Sequence, residues 1–150
     1  MARRPRSLLP DGYFHLTARG VDRAAIYRAD DDYRFFLGLV RRVTERWEWN
    51  WHALCLMPNH YHFVVETTRA ALSDGMHRVN GLYAEEFNDK YRRSGHLFGD
   101  RFAARSIEDE DYLRATCRYV VHNPVRAGLC EHAEDWPWTR SRYGFGDLYD

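Results

Sequence analysis

The spacing of apolar and polar positions predicts an alternation of strands and helices along this chain. Residues 13–19 alternate between the two kinds of side chain and are rich in aromatic and β-branched types, as expected of a strand. Residues 29–47 repeat apolar side chains at helical spacing, after a run of aspartates suited to a helix start. The same criteria predict these elements in order: strand 13–19, helix 29–47, strand 49–57, strand 61–66, helix 73–91, strand 97–107 and helix 108–123. Pro124 is expected to stop the last helix, and the tail beyond it to be irregular.

This order of elements predicts a fold of the α+β class. The short Pro58-Asn59 turn between two strands favours an antiparallel pair. A mostly antiparallel sheet with packed helices, close to the ferredoxin-like arrangement, satisfies the whole order. The sequence contains no internal repeat or linker, so residues 1–150 are expected to form one domain, in which residues 1–11 are a flexible basic arm.

Composition excludes several classes of protein. The chain has 150 residues, of which 45% are hydrophobic and 29% charged, a balance that is typical of a globular domain and excludes a disordered or fibrous chain. The 22 basic residues balance the 22 acidic ones, which argues against a histone-like binder held by bulk charge. The 3 cysteines form no C-x-x-C pair, and no apolar stretch approaches the length of a membrane span. A disulfide framework and a membrane span are therefore not expected, and the expected location is the reducing cytoplasm.

A histidine pair on one predicted strand is the first candidate for chemistry. Side chains two positions apart on a strand point to the same face, so His60 and His62 would bring two imidazoles together, while Tyr61 would point into the core. Two neutral imidazoles supply half of a divalent-metal site. The alternative is two exposed histidines without a joint role, and an isolated H-x-H pattern does not decide between the two.

A tyrosine and an asparagine on the last predicted helix are the second candidate. Tyr119 and Asn123 are four positions apart and would share a helix face, where a hydroxyl and an oxygen ligand could serve a metal that holds a phosphodiester. Each has a structural alternative. Tyrosine is common in cores, which taken alone favours packing for Tyr119, and asparagine before proline is a common end to a helix.

The segments around these candidates resemble those of a known family. Residues 57–63, Met-Pro-Asn-His-Tyr-His-Phe, resemble the HUH motif region of single-tyrosine transposases, and residues 123–129 resemble the exit from their tyrosine helix. The similarity also includes segments 13–20, 95–102 and 136–138. Over roughly residues 13–143 the chain is similar to the REP-associated tyrosine transposases, bacterial chromosomal relatives of insertion-sequence transposases.

The resemblance implies an HUH endonuclease fold and a DNA-cutting, strand-transfer enzyme. In that family a tyrosine hydroxyl attacks a phosphate of single-stranded DNA, often folded as a hairpin, and leaves a 5′-phosphotyrosine and a free 3′-hydroxyl. By position, Tyr119 matches the nucleophile, His60 and His62 the metal pair, and Asn123 the third ligand. The implied cofactor is a divalent metal, Mg²⁺ or Mn²⁺. The implied partner is single-stranded or hairpin DNA, bound by a monomer or a homodimer.

Four arginines in or beside the family-like segments are the candidate DNA contacts: Arg19, Arg101, Arg105 and Arg126. Arginine on phosphates would position a strand without reading its sequence. The alternative for Arg101 and Arg126 is an ion pair with an internal carboxylate such as Asp100. Trp136 and Trp138 could stack on bases, but their strongly apolar segment favours a packing clamp on the sheet.

The chain departs from the family pattern at two places. A histidine that many members have two positions after the tyrosine is replaced by Val121, and His122 is shifted by one. Gly99 and Asp100 stand where a glutamine-glycine pair is frequent. All the positions implied to be catalytic are filled, so these differences bear on the substrate more than on the chemistry.

Two other functions remain open from the sequence. One is a domesticated DNA- or RNA-binding protein that keeps hairpin affinity but needs no cleavage. The other is a zinc-dependent hydrolase that uses His60, His62 and a ligand such as Cys55, with water as the nucleophile. The Pro58-Asn59 turn would place Cys55 on the neighbouring strand, where we expect it to be a core residue.

Overall fold

The computed structural model describes residues 11–144, so all but the last residue of the predicted basic arm lies outside the described residues. The elements are β1 (Gly12–Arg19), α1 (Asp30–Trp47), β2 (Asn50–Met57), β3 (His60–Thr67), α2 (Arg69–Tyr91), β4 (Ala103–Ile107), α3 (Glu110–Val121), α4 (Asn123–Arg126) and β5 (Thr139–Ser141). Two short 3-10 helices, Val21–Arg23 and Ala133–Asp135, complete the order. No helix within residues 11–144 is long and apolar enough to cross a membrane.

The five strands form one sheet in the order β4-β1-β3-β2-β5, and every neighbouring pair is antiparallel. The sheet has a hydrophobic core on each face, because side chains alternate along its strands. Phe14 of β1 and Tyr61 of β3 face α1 and α2, whereas Ala53 of β2 and Val64 of β3 pack with residues of α3. The predicted α+β fold with a ferredoxin-like arrangement is confirmed.

Helix α3 covers one part of its face of the sheet and leaves another part open. Its closest packing is against β2, and it contacts β3, β5 and β4 less extensively. On β1, the alternation that buries Phe14 and Leu16 towards α1 and α2 turns His15 and Thr17 towards the α3 side. These two side chains line a groove between α3 and the β1–β4 pair. The uncovered strands therefore provide the floor of a candidate site.

The start of α1 is joined to the end of α2 by one buried carboxylate, that of Asp32. Its Oδ2 accepts hydrogen bonds from the backbone N–H groups of Arg28 (2.8 Å) and Ala29 (3.0 Å) and from the Tyr91 hydroxyl (2.6 Å). Its Oδ1 accepts from Lys90 Nζ at 2.8 Å. Burial alone would raise the pKa of this carboxyl, but the bonds from Lys90, Tyr91 and the backbone outweigh burial and lower it.

We expect Asp32→Asn to lower the free energy of unfolding by about 2 kcal/mol at pH 7. The asparagine side chain has one acceptor oxygen where the carboxylate has two, and it cannot form the ion pair with Lys90. The exposed Asp31→Asn, which breaks a surface pair with Arg34, should change it by less than about 0.5 kcal/mol. The lowered pKa makes the Asp32 contribution complete above the ordinary aspartate pKa and removes it as the pH falls through the folded-state value. Urea unfolding of the wild type and both variants from pH 7 to below pH 3 checks this. The difference between the wild type and Asp32→Asn should be constant above the ordinary aspartate pKa and shrink below it, and an undiminished difference at the lowest pH would contradict this.

Two predicted boundaries are wrong, for identifiable reasons. The strand predicted for 97–107 is confined to Ala103–Ile107. Residues 97–102 instead form a loop against the end of β1, in which Val21 N–H donates to the Leu97 carbonyl (2.8 Å) and Gly99 N–H donates to the Arg19 carbonyl (3.0 Å). Buried Leu97 and Phe102 give this loop the apolar content of a strand.

Helix α2 begins at Arg69 rather than 73, because the Thr68 hydroxyl caps it by accepting from Ala71 N–H at 3.1 Å.

The chain after α3 is more regular than predicted. Pro124 does not end helical structure: α3 ends at Val121, and Pro124 lies in the first turn of α4, where a missing N–H costs nothing. The tail adds β5 to the edge of β2. The predicted packing clamp is confirmed, since Trp136 Nε1 donates to the Leu56 carbonyl (2.8 Å) and Trp138 stacks on Tyr33 with ring centroids 4.6 Å apart.

Candidate active site

The predicted histidine pair lies at the start of β3. The ring centroids of His60 and His62 are 5.1 Å apart, on the α3 side of the sheet. Tyr61 points to the opposite face and is fully buried, and its hydroxyl donates to Asn80 Oδ1 at 2.9 Å. The strand therefore separates the core residue from the two imidazoles, as the alternation predicted.

A third histidine joins this pair, and sequence reasoning assigned no role to it. His15 of β1 has its Nε2 2.9 Å from Nδ1 of His62, and the two rings stack with centroids 5.2 Å apart. The strand order places β1 beside β3, and Thr17 pairs directly with His62. The signal in the sequence was the alternation of His15, Thr17 and Arg19, which gives β1 one polar face.

All three histidines are neutral at neutral pH. Burial is the main cause, and it lowers the pKa of His15 to about 4, of His60 to about 4 and of His62 to about 3. Arg105 beside His15 and Arg19 beside His60 lower those two values further. Neutral imidazole is the form that offers a lone pair to a metal ion.

Tyr119 lies on the surface of α3 and is not a core residue. Its side chain is 51% exposed, and its ring centroid is 6.4 Å from that of His62. The guanidinium carbon of Arg126 lies 3.9 Å from the centroid of the tyrosine ring, and Arg126 Nη2 also donates to the Tyr119 carbonyl. The packing interpretation, favoured for this tyrosine by residue type alone, is wrong. The structure brings an exposed tyrosine, a cation and His62 together.

Asn123 is placed differently from the other site residues. It is the first residue of α4, so it does not continue the helix that carries Tyr119. Its Oδ1 accepts from Arg126 Nη2 at 3.1 Å, and its Nδ2 is buried without a hydrogen-bond partner among the described residues. An unpaired buried amide is costly and allows the side chain to turn once another partner is present. Asn123 is not part of the lining of either cavity beside His62.

The donor set fits a divalent metal in part. His60 and His62 both use Nδ1 in hydrogen bonds, and within residues 11–144 neither Nε2 has a hydrogen-bond partner, so each ring leaves Nε2 unbonded. That part of the chain has no group of three or more His, Cys, Asp and Glu side chains able to hold a metal. A metal at this place would therefore need the Asn123 amide or an oxygen of the substrate as a further ligand.

Two cavities of about 500 Å³ each meet at Thr17, His62 and Ala103. Tyr119 and Arg105 line the first, and Arg19 and Arg101 line the second. Three of the four predicted DNA-binding arginines thus line one continuous groove, and the fourth, Arg126, contacts Tyr119 at its rim. The ion pairs found within residues 11–144 are Arg34–Asp31 and Lys90–Asp32, so the alternative pairing of Arg101 and Arg126 with carboxylates does not occur there.

Cys55 is a core residue, as expected. It is fully buried beneath α3, and the Thr139 hydroxyl donates to its Sγ at 3.6 Å. Burial raises the pKa of its thiol to about 12, so a thiolate ligand is disfavoured. The zinc hydrolase alternative thus loses the ligand that set it apart.

The residues that depart from the family pattern have different surroundings. Val121 is fully buried in the core beneath α3, and His122 is buried beside it, with its Nδ1 2.9 Å from the Arg118 carbonyl oxygen. Gly99 and Asp100, by contrast, line the second cavity next to Arg101. Only the second departure therefore changes the surface of the groove.

Comparisons with known proteins show which family the chain belongs to. The chain is 26% identical over 146 residues to a protein of Haemophilus influenzae assigned as a REP-associated tyrosine transposase, an alignment that covers 89% of this chain and 82% of that protein.

The fold of this chain is similar to that of a REP-associated tyrosine transposase bound to a REP hairpin. The TM-score is 0.75 at 17% identity, over 100% of this chain and 94% of the other. A protein of Deinococcus radiodurans assigned as a transposase gives a TM-score of 0.53 at 16% identity, over 81% of this chain and 97% of the other. Residues 9–123 match the family described as Transposase IS200 like. Since this match spans most of the chain, the protein belongs to the IS200-like transposase family.

Proposed function

We propose that this transposase family member is a metal-dependent endonuclease and strand transferase that acts on single-stranded DNA at hairpin-flanked sites through a 5′-phosphotyrosine. One observation carries the proposal. The accessible Tyr119 lies beside His62, with ring centroids 6.4 Å apart, at the edge of a groove lined by arginines. A structural tyrosine would have no need of exposure, of a guanidinium on its ring or of neutral imidazoles nearby.

The residues of the chain divide the chemistry among them. The Tyr119 hydroxyl would attack phosphorus, so that the tyrosine O–P bond forms as the P–O3′ bond breaks. The phenol proton leaves to solvent, and the departing 3′ oxygen gains a proton. An ordinary tyrosine has a pKa of about 10, so at neutral pH its phenolate must be stabilised for attack. The Arg126 guanidinium over the ring would stabilise negative charge on the phenol oxygen.

His60 and His62 would hold the metal, with Asn123 as the third ligand once its amide turns from Arg126. Bound there, Mg²⁺ or Mn²⁺ would polarise the phosphate and offset the charge of the transition state. Imidazole nitrogens bind manganese more readily than magnesium, which prefers oxygen ligands. Because the phosphoester is kept in the covalent link, the strand can be resealed or transferred without ATP.

The groove would hold the DNA strand on either side of the reacting phosphate. Arg105 lies in the cavity that contains Tyr119, and Arg19 and Arg101 lie in the neighbouring one, so contacts on both sides would fix the register of the backbone. The structurally similar REP-associated tyrosine transposase is bound to a REP hairpin. We infer that hairpin DNA is the partner of this chain as well.

Arg105→Gln should weaken binding of a single-stranded or hairpin DNA and reduce the salt dependence of binding by about 0.7 in the log–log slope, the value for one phosphate contact on a single strand. Arg78→Gln, an exposed arginine of α2 on the other side of the sheet, is the matched control and should leave the slope unchanged. Fluorescence anisotropy between 50 and about 200 mM salt measures both. Equal slopes for the two variants would remove Arg105 from the DNA interface.

A denaturing gel tests the proposed reaction directly. The wild-type protein is mixed with end-labelled hairpin DNA from the flanks of its own gene, with Mn²⁺, with Mg²⁺ or with EDTA. We expect a slowly migrating covalent band that requires metal. Failure to cleave any hairpin substrate with either metal would count against the proposal.

One observation favours a second candidate, a hairpin-binding protein without required cleavage. Asn123 Oδ1 is bonded to Arg126 rather than directed at the histidine pair, so the third ligand is not preset. This candidate predicts tight hairpin binding without a covalent band, and a biological effect that survives replacement of Tyr119 by alanine. The same gel, run beside a native binding gel, separates the two functions.

A further inference from the structure

The two candidate metal ligands are bonded to neighbours through the same ring nitrogen. His60 Nδ1 lies 2.7 Å from Asn59 Oδ1, and His62 Nδ1 lies 2.9 Å from His15 Nε2. A neutral imidazole has one N–H and one lone pair, so the partner of Nδ1 decides whether Nε2 can bind a metal. The identity of these partners therefore bears on metal binding even though neither would touch the metal.

The bond to Asn59 fixes the tautomer of His60. Asn59 Nδ2 donates to the Arg23 carbonyl at 3.2 Å, which sets the orientation of the amide and leaves Oδ1 towards the imidazole. An amide oxygen only accepts hydrogen bonds. His60 must therefore carry its proton on Nδ1, and its lone pair is on Nε2.

The bond between His15 and His62 has two possible directions, since either nitrogen could donate. If His62 donates, its lone pair is on Nε2, as in His60, and the two ligands match. If His15 donates, Nε2 of His62 carries a proton and cannot bind a metal. The rings of His15 and His62 stack with planes that differ by 24°, so their relative position is the same whichever atom donates.

We propose that His15 and Asn59 are positioning residues that hold His62 and His60 in the Nδ1–H form, so that both ligands present Nε2 to one metal ion. The inference rests on the proposed function, because it concerns the same metal pair. His15 then has a specific role, in which its Nε2 accepts the hydrogen bond from His62 and its own proton stays on Nδ1. Groups that orient metal-bound histidines in this way commonly affect metal affinity by about 10–100-fold.

Long-range ¹H–¹⁵N NMR of the metal-free protein, labelled in histidine, reports each tautomer directly. We expect Nδ1–H for both His60 and His62, and Nδ1–H for His15. An Nε2–H form of His62 would overturn the proposal for His15. This readout needs neither metal nor DNA, so it does not depend on activity.

Two variants of His15 separate positioning from packing. His15→Gln keeps a hydrogen-bond acceptor, whereas His15→Phe keeps a stacked ring and removes the acceptor. In titrations of the full chain followed by Mn²⁺ electron paramagnetic resonance, we expect the phenylalanine variant to bind Mn²⁺ about 10-fold more weakly or worse and the glutamine variant to stay within about 3-fold of the wild type. Thermal unfolding of both confirms that they are folded.

The results distinguish this inference from the proposed function. If the wild type binds Mn²⁺ and His15→Phe binds it equally well, the positioning role is wrong and the proposed metal site stands. If the wild type binds no Mn²⁺ even in the presence of hairpin DNA, the metal site itself is wrong. A loss of Mn²⁺ binding in the glutamine variant with none in the phenylalanine variant would show that His15 acts through packing alone.

Discussion

Replacing Tyr119 with phenylalanine is expected to abolish covalent capture of DNA. The variant keeps the ring, its contact with the Arg126 guanidinium and the 6.4 Å approach to the His62 ring, and loses only the hydroxyl. Without that oxygen no O–P bond can form, and removal of a catalytic nucleophile commonly costs about 10⁴-fold or more in rate. Because Tyr119 is half exposed, its hydroxyl contributes little to folding. Hairpin affinity should therefore stay within a few-fold of the wild type.

Tyr112→Phe is the matched control for this experiment. Tyr112 lies on the same helix, is 55% exposed and lines the same cavity as Tyr119. It should still form the covalent band, which peptide mass spectrometry should locate on Tyr119. A band that persists in Tyr119→Phe, or that requires Tyr112, would assign the nucleophile to a different residue.

His62→Ala is expected to lower metal-dependent cleavage by at least about 100-fold, because a Lewis acid on the phosphate contributes several kcal/mol to the transition state. It removes one of two available imidazole nitrogens and also breaks the bond to His15. Binding of hairpin DNA should change much less than cleavage, since the arginines of the groove remain. Rates measured against Mn²⁺ concentration, with binding measured in parallel, separate the two effects.

His77→Ala controls for the loss of a histidine as such. His77 lies on α2, on the other side of the sheet, and is exposed. It should leave both the rate and the Mn²⁺ dependence unchanged. Cleavage by His62→Ala at the wild-type rate and the same Mn²⁺ concentration would exclude this histidine as a ligand.

The local parts of the fold and site followed from the sequence because they depend on residues close together in the chain. The H-x-H pair needed only the alternation of a strand, and α1 needed only its apolar stripe and its aspartates. The short turn between β2 and β3 required an antiparallel pair, which the structure has. From these elements the α+β class followed.

What the sequence did not reveal depends on residues that are distant in the chain. His15 meets His62 only because β1 lies next to β3, and strand order is a property of the whole sheet. The exposure of Tyr119 depends on where α3 crosses the sheet. Strand β5 is three residues long, too short for any pattern, and it exists because β2 offers an unpaired edge.

The separation of the site residues along the chain also sets the order in which the site can be completed during synthesis. His15 and His62 are 47 positions apart, and the sheet must close a long loop before they meet, which makes their contact late and cooperative. Tyr119 leaves the ribosome after every strand of the groove floor, since β4 ends at Ile107. A nascent chain can thus assemble the imidazole pair and arginines of the groove floor while it still lacks the hydroxyl. If the proposed roles of the arginines and of Tyr119 are right, an unfinished chain would carry its DNA contacts before it carries its nucleophile.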